Sequence, residues 1–149
     1  MLVSNSQKSL INKNMAYLSK IENFKDQGLL IARIGLGGMM IFHGLPKLIG
    51  GVAKWEAIGG SMQNLGITFI PVFWGFMASA AEGVGGLLIL LGLLFRPAAL
   101  LIIFTMIVAA IQHLSAGDGL MGASHAIETG LAFFILLFPG PGRFSLDNK

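Results

Sequence analysis

The sequence predicts an all-α integral membrane protein, a four-helix bundle in antiparallel up-down order. Three observations carry this. The chain has 149 residues, 54% of them hydrophobic and 11% charged, with a mean hydropathy of +0.77. A soluble domain carries about 25% charged residues, and so short a chain cannot bury that much apolar surface in one water-surrounded core. The apolar residues gather into four stretches, each near the ~20 residues that cross a ~30 Å hydrocarbon layer. Within them charge is sparse: Glu82 stands alone in MASAAEGVGGLLILLGLLF. A carboxylate at mid-bilayer costs roughly 2.5–3.5 kcal/mol even on insertion scales, so it must face a partner or a cavity.

The elements follow in chain order. Residues 1–27 read as a cytoplasmic amphipathic tail. Leu10, Met15, Leu18, Ile21 and Phe24 recur at helical spacing with lysines between them, as in an interfacial N-terminal helix on the inner leaflet. The tail has no continuous apolar run and no small-residue cleavage site, so the first span is expected to be its own insertion signal. The four-helix domain covers 28–139. Its first span runs from Gly28 to Leu45 and is expected to stop at Pro46.

An outer interfacial loop helix follows, with Val52, Trp55, Ile58, Met62 and Leu65 on one face and Trp55 as its anchor. The plainer reading of both amphipathic pieces is ordinary packing on neighbouring loops. The second span covers Pro71 to Phe95 and the third Pro97 to Leu114. Only Arg96-Pro97 divides them, which predicts a tight hairpin with proline in a first helical turn, where a missing N–H is harmless. The fourth runs from Gly122 to Phe138, and 140–149 is a cytoplasmic C-terminal tail. Small residues recur every fourth position at Gly75, Ser79 and Gly83, and again at Gly122, Ala126 and Gly130. Such ridges let helix backbones approach in lipid.

Charge sets the orientation. Lys8, Lys13, Lys20, Lys25, Arg96, Arg143 and Lys149 fall on one side, and Lys47 and Lys54 on the other. The positive-inside rule then puts both termini in the cytoplasm of a bacterial inner-membrane, multi-pass protein. The same distribution excludes nucleic acid as a partner, because the positive charges flank apolar spans instead of covering a soluble face. The absence of cysteine excludes disulfides, thiol chemistry and iron–sulfur clusters. Gly83-Val84-Gly85-Gly86 follows no strand and lacks the dinucleotide spacing.

The polar residues form two groups. Glu82 lies eleven residues past Pro71, ~16 Å along its helix, and Arg33 enters the first span from the cytoplasmic side. An Arg33–Glu82 pair is expected as the buried polar core. Its plain role is to hold the fold, and its sharper role is to relay protons or bind a quinone. At the outer level, His43 and Lys47 share a helix face, Gln112 and His113 end the third span, and His125 and Glu128 begin the fourth. These six residues are candidates to line a ligand site. They can cap helix ends at headgroup level. They can hydrogen-bond quinone carbonyls and move protons. His43, His113, His125 and Glu128 could also ligate haem iron or a transition metal.

The strings RIGLGGMMIFHGLPKL (Arg33–Leu48), AEGVGGLLILLGLLFRPAAL (Ala81–Leu100) and PGPGRFSLD (Pro139–Asp147) resemble the DoxX family of small bacterial membrane proteins. The resemblance implies a four-helix bundle in the cytoplasmic membrane. It also implies a place beside thiosulfate:quinone oxidoreductase subunits, oxidative- and thiol-stress complexes, or catechol and quinone resistance. The expectation is a subunit supporting a membrane redox system that binds quinone in the outer half of the bundle, with an oxidoreductase partner. Two alternatives stay open: an oligomeric transporter of a small solute, ion or proton built round Glu82, and a non-catalytic assembly subunit for a soluble oxidoreductase.

Overall fold

The computed structural model describes Gln7 and residues 24–148; the amphipathic helix expected over Leu10–Ile21 lies outside the described residues. Helix α1 spans Lys25–Leu48 and α2 spans Gly51–Gly59, continued by a 3-10 segment over Gly60–Leu65. Helices α3 (Pro71–Leu91), α4 (Phe95–Ser115) and α5 (Gly119–Leu137) complete the bundle, and a 3-10 turn closes Leu146–Asn148. Four of these, α1, α3, α4 and α5, are long and apolar enough to cross a membrane. Ile31, Phe42, Phe104, Phe134 and Ile135 stand exposed, as expected where lipid is the solvent. The core holds Ile89, Phe95, Ile102 and Phe133.

Element boundaries depart from the sequence reading at four places, the first being that α1 begins at Lys25, three residues before Gly28. α1 runs through Pro46 to Leu48, and the Ile49 N–H still reaches the Leu45 carbonyl at 3.0 Å. One missing donor in a last turn bends the ladder without ending it. The α3–α4 turn falls at Gly92–Leu94 and not at Arg96-Pro97. Gly92 adopts φ +65°, with Gly92 N–H on Ile89 O at 3.1 Å and Leu93 N–H on Leu88 O at 3.0 Å. That is a Schellman ending, which needs a left-handed residue. Arg96 and Pro97 then belong to the first turn of α4. α5 begins three residues early, at Gly119.

Glycine sets the packing of α1 on α3. A Cβ at Gly37 would stand 2.8 Å from Gly86 O, and one at Gly44 would collide with the Gly83 nitrogen. α2 lies along the first half of α3 the same way, with Gly59 against Pro71 and Gly75 against Trp55. The Trp55 indole donates to Lys47 O at 3.0 Å, so this tryptophan ties α2 to the end of α1. Its ring also meets Phe76 edge-on.

The C-terminal segment folds back onto the bundle. Asp147 accepts from the N–H groups of Leu94 at 2.9 Å and Phe95 at 3.0 Å, capping α4 from outside its own chain segment, and Asp26 accepts from Arg143 N–H at 3.0 Å. Arg96 donates to Leu137 O, the last turn of α5.

Candidate ligand cavity and its buried ion pair

Arg33 and Glu82 are both buried, 2% and 3% exposed, yet they do not pair. The Arg33 guanidinium donates to Ile89 O at 3.1 Å, Leu90 O at 2.8 Å, Pro141 O at 3.1 Å and Phe144 O at 2.9 Å. The first two are carbonyls of the last turn of α3, where Ile89 O also accepts from Gly92 N–H. Arg33 therefore caps α3 and binds the C-terminal segment to it, at the end of the bundle away from the histidines. Helix rise alone does not show this, because Arg33 and Glu82 point to different depths along α3.

The partner of Glu82 is Lys47. Its Nζ lies 2.8 Å from Oε1 and 2.5 Å from Oε2. The carboxylate is enclosed, whereas the lysine side chain keeps 35% exposure. The close approach at Gly44 makes the pair possible: with no side chain there, the end of α1 presses on α3 beside Glu82, and Lys47, three residues on, reaches the carboxylate. Gly44-x-x-Lys47 on α1 against Glu82-Gly83 on α3 was the signal in the sequence for this pairing.

The ion pair stands between two cavities and lines both. The larger, about 360 Å³, lies between α3, α4 and the α2–3-10 segment. It is bounded by Ile58, Met62, Trp74, Ala78, Thr105 and Val108, among others. Phe73, Met77, Leu101 and Phe104 also line it and are exposed on the lipid-facing surface, so the cavity opens sideways between α3 and α4. Lys47 and Glu82 are the charged groups in its wall. The smaller, about 130 Å³, is lined by Met40, His43, Met106, His113, Gly122, His125 and Ala126 together with the pair. The His43 and His125 rings stand 5.3 Å apart, and His113 Nδ1 pairs with Asp118 Oδ2 at 2.7 Å.

Of the six outer-level candidates, the structure brings His43, Lys47, His113 and His125 to one cavity. Gln112 instead accepts from Asn64 Nδ2 at 2.6 Å, fastening the 3-10 segment to α4. Glu128 is exposed and lines neither cavity, since three residues along a helix still turn it ~60° away from His125. Among the described residues no three histidine or carboxylate groups are placed to hold a metal ion. The structure does not bring His43, His113, His125 and Glu128 together as one such group. The sequence reading missed the larger cavity altogether, because its walls are ordinary apolar residues.

These features define a class: a polytopic helical membrane protein with a lateral apolar cavity ending on a buried ion pair. The chain belongs to the DoxX family, whose model matches residues 28–115. It is 32% identical over 129 residues to the inner membrane protein YphA of Escherichia coli, covering 81% of this chain and 89% of that one. It is 30% identical over 132 residues to the Escherichia coli inner membrane protein YqjF, with coverage of 86% and 95%. A third relative, named "Putative oxidoreductase CatD" in Bacillus subtilis, is 31% identical over 84 residues, 56% of this chain and 58% of its own. No solved structure matches. Together with the four apolar helices, these relatives make it a multi-pass protein of the bacterial inner membrane.

Proposed function

We infer that the protein binds a membrane-dissolved quinone in the cavity between α3 and α4, in support of a membrane redox system. The observation that carries this is an apolar cavity, open on the lipid-facing side, whose wall offers one cation and one carboxylate side by side. Its volume of about 360 Å³ falls in the usual range for small-molecule sites, ~300–1,000 Å³. A quinone ring would lie against Trp74, Met77 and Val108. Lys47 Nζ, a hydrogen-bond donor, would meet one ring carbonyl, and the isoprenoid tail would leave between Phe73 and Phe104. The oxidoreductase name of the Bacillus subtilis relative agrees with that chemistry.

Trp74 is the natural reporter, because it lines the cavity and Trp55 is the other tryptophan of the chain. In a Trp55→Phe background, short-chain ubiquinone titrated into protein in nanodiscs should quench Trp74 fluorescence saturably. Ala78→Leu, which fills the cavity, should weaken the apparent affinity at least about tenfold, the equivalent of 1.4 kcal/mol. Linear, unsaturable quenching in both proteins would end this reading.

A further inference from the structure

The geometry points to a second function for the smaller cavity: it is a proton path from the aqueous end of the bundle to Glu82. Glu82 stands at the twelfth of 21 positions in α3, a depth at which a carboxylate has no bulk water beside it. On its α4 side lies the apolar cavity, whose remaining wall offers no titratable group. On its other side lies the cavity lined by His43, His113 and His125.

The titratable groups that face the carboxylate can be assigned helix by helix. α1 brings Lys47 in direct contact and His43 across the smaller cavity, α4 brings His113, and α5 brings His125. α2 carries Lys54 and Glu56, both exposed and lining neither cavity. Imidazole is the side chain suited to accept and release a proton near neutral pH. A polar space of about 130 Å³ has room for roughly four waters at ~30 Å³ each. The chain His113–Asp118 stands half-exposed at the mouth of this cavity, and the His43–His125 ring contact, with His125 itself exposed, lines the same cavity. Protons therefore reach Glu82 from the histidine side, and lipid-phase molecules reach it from the other. This assignment goes beyond quinone binding and holds whether or not a quinone occupies the larger cavity.

A lipophilic carbodiimide, dicyclohexylcarbodiimide, tests it. The reagent arrives from lipid and reacts with a carboxyl group that carries a proton, which passes to the carbodiimide nitrogen as the carboxylate adds to carbon. The stable N-acylurea on Glu82 is read by peptide mass spectrometry on the full chain in nanodiscs, with Glu128, exposed midway along α5 and lining neither cavity, as internal control for reagent arriving from lipid.

In His43→Leu/His125→Leu, and separately in Ala126→Leu, which narrows the smaller cavity without removing a histidine, labelling should slow at least about tenfold at fixed pH, the least that loss of a positioned proton donor costs. Monodisperse elution and an unchanged helical circular dichroism signal establish that both variants fold. Wild-type rates in both variants would overturn the proton path, and so would a wild-type Glu82 that stays unlabelled while Glu128 reacts. Protection of Glu82 by added ubiquinone reports on the larger cavity alone, so the two readings fail separately.

Discussion

Lys47 and Glu82 hold each other where neither could stand alone. Removing one partner of a buried pair leaves an uncompensated charge, whereas replacing both with apolar groups is often close to neutral. Lys47→Met should therefore destabilise the protein by about 3 kcal/mol, the lower end of the usual range because the lysine is partly exposed. Lys47→Met/Glu82→Leu should recover most of that loss. Thermal unfolding in detergent, arranged as a double-mutant cycle, measures the coupling, and additive losses would show that the pair is not the unit described. At this scale the sequence was half informative. It marked Glu82 as misplaced in lipid and Lys47 as an outer-level ligand candidate, but it paired Glu82 with Arg33. Rise per residue fixes depth along one helix and says nothing about the stagger between two.

The elements are held by two devices: glycine contacts along α1 and α3, and the knot round Arg33. Gly44→Ala would drive a methyl group into the backbone at Glu82–Gly83. It should cost about 1–3 kcal/mol as an overpacked contact and lengthen the Lys47–Glu82 separation, so its effect on Glu82 labelling should exceed that of Gly38→Ala, where nothing stands in the way. In the knot, Asp147 supplies the N-cap that α4 lacks in its own sequence. Losing a cap costs about 1 kcal/mol, so Asp147→Ala should release the C-terminal segment and speed tryptic cleavage after Arg143. Arg33→Lys should act the same way, because one ammonium cannot span four carbonyls that a planar guanidinium reaches. A cleavage rate equal to wild type in both would sever Arg33 and Asp147 from the tail. The span count, the hairpin and the small-residue ridge at Gly75–Gly83 were legible because periodicity and length determine them. The turn at Gly92–Leu94 was not, since Leu94 takes a left-handed conformation (φ +47°) that its residue type does not announce and Asp147, far along the chain, supports. Nor was the tail's return, because PGPGRFSLD alone has nothing to fold against.

For the whole molecule, an even number of membrane-length helices puts the start of α1 and the end of α5 on one side. The contacts agree, since Asp26 meets Arg143 N–H at 3.0 Å. Which side this is follows from charge: Lys25, Arg96 and Arg143 lie at that end, with the lysines of the preceding tail beside them in sequence, against Lys54 in the α2 segment. Lys47 is spent on Glu82 and adds little to the opposite face. By the positive-inside rule we propose that the termini lie in the cytoplasm and the histidine cavity towards the outer face. A green fluorescent protein fused after Lys149 should fluoresce and alkaline phosphatase at the same site should stay inactive. Phosphatase inserted at Gly66, in the exposed loop before α3, should be active. The reverse pattern would turn the bundle over, and the proton path to Glu82 would then open on the cytoplasm.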